Sequence, residues 1–169
     1  FGLFRPEETT FTEETALLTA ESNEIGVFGF FNVPYGDWIV RELKPAPAFV
    51  LNETLYPVTI SEQEETIEIT AENRYITGAV QTTKVDAAYP DNKLSGAVFE
   101  VYVDVDGNRE FDDAIDRLVD KLDETESGVY RLDGLRYNGY FLHEAASPEG
   151  FLPDEGYYYF EIREDGKTV

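Results

Sequence analysis

The segment GVFGFFNVPYGDWIVRELKPAPAFVLNETLYPVTI, from Gly26 to Ile60, returns in altered form as GVYRLDGLRYNGYFLHEAASPEGFLPDEGYYYFEI, from Gly128 to Ile162, at a constant offset of 102 residues and without a gap. Gly26 matches Gly128, Val27 matches Val129, Val33 matches Leu135 and Tyr35 matches Tyr137. Further on, Trp38 matches Tyr140, Glu42 matches Glu144, Phe49 matches Phe151 and Ile60 matches Ile162. A match of glycines, aromatics and an acid in one order is improbable by chance, and it overrides the single domain that 169 residues would also allow. The openings correspond too, Phe1-Gly-Leu-Phe4 with Phe99-Glu-Val-Tyr102. The chain is therefore expected to fold as two copies of one unit, 1–76 and 77–169. They meet near Tyr75 to Gly78, with no flexible linker between Asn73 and Lys84.

Each copy alternates apolar and polar residues with the period of a half-buried strand. Thr66–Thr70 reads TIEIT, Ala97–Val103 reads AVFEVYV, Gly128–Leu132 reads GVYRL and Gly156–Ile162 reads GYYYFEI. Asp106-Gly107, Asn138-Gly139 and Asp165-Gly166 supply turn signals between such runs. Only Phe111 to Leu122 carries a weak helical spacing, through Ile115, Leu118 and Leu122, and is expected to form a helical turn or a loop insertion. The fold class read from this pattern is all-β, two tandem β-sandwiches.

Apolar residues make up 42% of the chain, enough for packed cores, while 35 acidic against 13 basic residues give a formal net charge of −22. Such a field repels phosphate backbones and anionic lipid, so neither nucleic acid nor a membrane surface is an expected partner. No cysteine is present, which removes disulfides and thiolate metal sites. No apolar run is long enough to span a membrane.

Two acids stand out. In strict alternation Trp38, Val40 and Glu42 share one face of a strand, as do Tyr140, Leu142 and Glu144. If that face is the core, each glutamate is buried, and an apolar interior favours a carboxyl in its protonated, hydrogen-bond-donating form. The plainer alternative is a glutamate at a strand end reaching water. Lys84, inside Ala79-Val-Gln-Thr-Thr-Lys84-Val, and Asn73, closing Ile67-Glu-Ile-Thr-Ala-Glu-Asn73, would by themselves read as surface residues.

The lead segment KVDAAYPDNKLSGAVFEVY, the two core segments given above and the closing segment TIEITAENRYITG together resemble the B-type repeat of collagen-binding adhesins and Gram-positive pilins, the Cna-B family. The resemblance covers most of the chain, the largest uncovered stretch running from Asp104 to Ser127. It implies an Ig-like or prealbumin-like sandwich in which a first-strand lysine and a last-strand asparagine join in a spontaneous isopeptide bond, assisted by an acid on a middle strand. Carried over by position, Lys84 and Glu144 fill two of the three places in the second copy, and Glu42 and Asn73 fill two in the first. The offset puts the missing asparagine at position 175, and the missing lysine falls before Phe1. The first copy is thus expected to lack its first strand and the second most of its last. The implied protein is a cell-wall-attached surface stalk of a Gram-positive bacterium. Its expected partners are neighbouring repeats, with a host matrix protein or glycan as a further candidate, and it is not an enzyme beyond one self-modifying turnover.

One stretch departs from that pattern. Asp104, Asp106, Asn108, Glu110 and Asp112 set oxygen ligands at alternate positions, as a calcium loop does, with Asp113 or Asp116 as a substitute for the absent twelfth-position acid. Calcium is therefore a candidate cofactor, against an acidic hairpin loop with an Asp-Gly turn. The lone His143 lies on the face opposite Glu144 and is expected to face solvent. Tyr157, Tyr158 and Tyr159 read as a half-buried strand rather than a sugar platform. Two rivals remain: a carbohydrate- or protein-binding module without cross-link chemistry, and a hydrolase using Glu42 and Glu144 as an acid pair. The second is disfavoured because paired catalytic carboxylates must share one cleft.

Overall fold

The computed structural model describes residues 1–169, which form thirteen β-strands and no helix. They are β1 (Gly2–Phe4), β2 (Leu18–Thr19), β3 (Gly36–Arg41), β4 (Phe49–Val50), β5 (Tyr56–Ile60), β6 (Arg74–Tyr75) and β7 (Thr77–Thr83). After these come β8 (Val98–Val103), β9 (Arg117–Lys121), β10 (Asp123–Glu126), β11 (Val129–Arg136), β12 (Asn138–Ala146) and β13 (Tyr157–Ile162). The chain divides into two units, Phe1–Arg74 and Tyr75–Val169.

The second unit is a sandwich. One sheet runs β10-β11-β7 and the other β13-β12-β8-β9, all paired antiparallel. Inward residues of both faces meet in one core, with Val80, Tyr130 and Leu135 from the first sheet and Phe99, Val101, Tyr140 and Ile162 from the second. The last residues add a parallel neighbour to β7. The amide of Ala79 donates to Lys167 O at 2.9 Å, Gln81 to Val169 O at 2.8 Å, and Val169 to Ala79 O at 2.9 Å. Gly78 permits this approach, because a Cβ there would stand 2.6 Å from Lys167 O.

In the first unit the sheet order is β2-β1-β3-β5, with Leu3, Trp38 and Val40 at its core. The sequence repeat is a repeat of register. β3 pairs with β5 from Gly36↔Ile60 to Trp38↔Val58, and β12 pairs with β13 from Asn138↔Ile162 to Tyr140↔Phe160, each residue 102 positions further on. Leu3 faces Val40 as Val101 faces Leu142. Even the aromatic tethers agree: Trp38 Nε1 donates to Pro34 O at 2.9 Å and Tyr140 OH to Arg136 O at 2.6 Å.

Three expectations are corrected. Thr66–Thr70 is not a strand, since nothing lies alongside it to complete a ladder. Phe111–Leu122 holds no helix: Arg117–Lys121 is the strand β9, drawn to the open edge of β8. His143 is half-buried, stacked on Tyr157 with ring centroids 4.1 Å apart, because the turn after Ala146 brings Gly156 O within 3.1 Å of its Nδ1.

Candidate functional site

Glu42 and Glu144 are each only 4% exposed. Alternation along β3 and β12 turns both inward behind Val40 and Tyr140, and a backbone amide then fixes each carboxylate. Asn52 N–H donates to Glu42 Oε2 at 2.7 Å, and Asp154 N–H donates to Glu144 Oε2 at 2.8 Å. Asn52 and Asp154 are themselves related by the repeat. Sequence reasoning missed these two donors, although the constant offset that pairs the glutamates also pairs them.

In the second unit Lys84 follows directly after β7. Its own amide donates to Gly128 O at 2.9 Å, which keeps the chain extended past the end of the strand. Its side chain reaches inward, and Nζ lies 2.7 Å from Glu144 Oε2. The other carboxylate oxygen, Glu144 Oε1, is buried and has no hydrogen-bond partner. A buried carboxylate oxygen without a partner is costly, so the site is poised to receive one more donor. In the first unit Glu42 and the exposed Asn73 line one open recess of about 310 Å³ together with Phe1, Phe28 and Ile69. Asn52 ties the closing segment down there, its Nδ2 donating to Glu72 O at 2.9 Å.

The acidic loop is organised by two buried carboxylates. Asp104 accepts the amides of Gly107 (2.8 Å) and Arg109 (3.2 Å), and Asp116 accepts those of Val105 (3.1 Å) and Asp112 (2.9 Å). Phe111 pins the loop to the sheet, stacked on Tyr157 with centroids 3.6 Å apart. Carboxylate oxygens of Asp104, Asp106 and Asp116 lie within 4.8 Å of one another. Asn108 and Asp112 instead turn to their own backbone, accepting the amides of Glu110 (2.6 Å) and Ala114 (2.8 Å), and Glu110 is exposed. Asp116, the substitute ligand, is thus the third member of the cluster. Glu42 and Glu144 lie in separate units, each within its own sheet.

The model of the SpaA prealbumin-like fold domain matches twice, over residues 1–75 and 78–169. Among solved structures, the Bacillus anthracis TIE protein is 26% identical with a TM-score of 0.76, over 89% of this chain and 26% of that one. A streptococcal ancillary pilin is 24% identical (TM-score 0.40, 82% of this chain and 42% of that one). The minor pilin of Streptococcus agalactiae is 21% identical (TM-score 0.39, 99% and 78%). No curated protein matches the chain. The chain spans about a quarter of the Bacillus anthracis structure it resembles. It belongs to the SpaA prealbumin-like domain family, as two tandem domains of the Cna-B type.

Proposed function

We propose that this chain is a structural spacer of a Gram-positive surface protein, of pilin or adhesin kind, whose domains are closed by intramolecular Lys–Asn isopeptide bonds. One observation carries the reading: the Lys84 amine lies 2.7 Å from a buried carboxylate whose second oxygen has no partner. A strand continuing in the parallel register of Lys167–Val169 would run beside β7 toward Lys84, and an asparagine on it would fill the open place.

The chemistry balances with no added reagent. One proton moves from the Lys84 ammonium to Glu144, leaving a neutral amine and a carboxylic acid that donates a hydrogen bond to the asparagine carbonyl. The amine attacks the carboxamide carbon, the new C–N bond forms, the old one breaks, and ammonia departs with the proton returned by Glu144. The strands hold the reactants together, so effective molarity does the work of turnover and the reaction runs once per domain. The amide closes a long loop and stabilises the fold by roughly 3–5 kcal/mol on the estimate used for disulfides, with no bond a reductant can cleave. In the first domain Glu42 and Asn73 are the corresponding carboxyl and carboxamide.

Mass spectrometry tests this. A chain extended beyond Val169 to include the next strand loses about 17 Da, one ammonia, per bond formed. Glu144→Ala abolishes the loss for the second domain. An extended wild-type chain at full calculated mass overturns the cross-link.

A further inference from the structure

The two units differ along one edge. In the second, β11 is covered by β7, with Val129 opposite Thr83, Tyr130 opposite Thr82 and Leu132 opposite Val80. The matching residues of the first unit, Val27–Pro34, form no strand, and no backbone hydrogen bond engages Phe28 to Val33. Their side chains nevertheless alternate as a strand's would. Phe28 and Phe30 pack on the core, while Val27 is 58% and Phe31 82% exposed. Val129, the counterpart of Val27, is 8% exposed. Gly26 and Gly128 share the same left-handed turn, with φ of 78° and 69°. The backbone thus enters this edge in the conformation it has when a neighbouring strand is present.

We propose that Phe28–Val33 is an acceptor edge for an extended strand supplied in trans by a partner polypeptide, apolar at alternate positions and ending in a lysine whose amine enters the recess beside Glu42. Unpaired strand edges recruit strands through main-chain hydrogen bonds, and side-chain pockets set the choice. Here the choice is set by charge: the recess at the end of the edge holds the buried Glu42 carboxylate, in a chain of net charge −22. The second unit supplies the template. Lys84 donates its amide to Gly128 O, so the incoming lysine donates to Gly26 O, and the residues before it run antiparallel to Val27–Val33. An amine seated there is held out of water, as the Phe1 ammonium in the same recess already is, with its pKa lowered by burial against the opposing pull of Glu42. Formation of a bond to Asn73 rests on the cross-link reading; docking does not.

The probe is a labelled synthetic peptide of the sequence Thr77–Val85, TGAVQTTKV, added to the full chain. The expected result is saturable binding that slows amide exchange at Phe28–Val33. Binding should fall about tenfold or more when the peptide lysine becomes norleucine, or when Val27 is replaced by Asp. Val27→Asp is suited to the test because the side chain is exposed without the peptide and the variant keeps its fold. Failure to bind, or protection confined to β11, where the peptide would have displaced β7, overturns the proposal. Docking without loss of about 17 Da upholds the acceptor edge while failing the cross-link in this unit. Conversely, no docking beside a mass loss in the second unit fails this proposal alone.

Discussion

A single oxygen of Glu144 carries two partners, the Lys84 amine and the Asp154 amide, while its sibling carries none. Removing the lysine leaves a buried carboxylate facing only one neutral donor. Lys84→Ala should therefore destabilise the second domain by about 3 kcal/mol, the cost of breaking a buried pair from one side. Urea unfolding measures it, and a double-mutant cycle with Glu144→Gln should recover part of the loss. Elsewhere, Tyr102 OH donates to Glu100 Oε2 at 2.6 Å, and that carboxylate pushes the phenol pKa up to about 12. The sign follows from the raised folded value: the bond contributes stability in full below the ordinary phenol range near 10 and loses it as pH rises through about 12. In an ultraviolet titration Tyr102 should ionise last among exposed tyrosines, and Glu100→Gln should bring it down.

At the scale of elements, the loop from Asp104 to Asp116 is built before any ion arrives, because two buried carboxylates each hold two backbone amides. Asp116→Ala should cost about 2 kcal/mol by orphaning the amides of Val105 and Asp112, read as a lower melting temperature. A cation gathered by Asp104, Asp106 and Asp116 would raise that temperature; equal values in calcium and in chelator remove the calcium reading. Most elements were legible in the sequence because alternation states which side chains face inward, and Glu42 and Glu144 follow Trp38 and Tyr140 into the core by that rule alone. The failures are those of pairing. Whether Thr66–Thr70 becomes a strand, or Arg117–Lys121 leaves its weak helical spacing to join β8, depends on what lies beside it, which no local pattern contains. His143 was misread for the same reason: its neighbour Tyr157 stands across a hairpin.

For the whole chain, the constant offset reaches beyond residue types to register, tethers and the amides that hold the glutamates. This was readable only in part, since an alignment can pair Glu42 with Glu144 but not reveal that Lys84 turns inward to meet one of them. Fold and family are settled by the twofold match and the sandwich itself. The parallel seating of Lys167–Val169 against β7 also has a mechanical meaning. When the second unit is drawn out from its two ends, neighbours running the same way slide past each other, so their hydrogen bonds are loaded in shear and must rupture together rather than unzip singly. Its lifetime under load is then governed by a high unfolding barrier more than by its equilibrium stability.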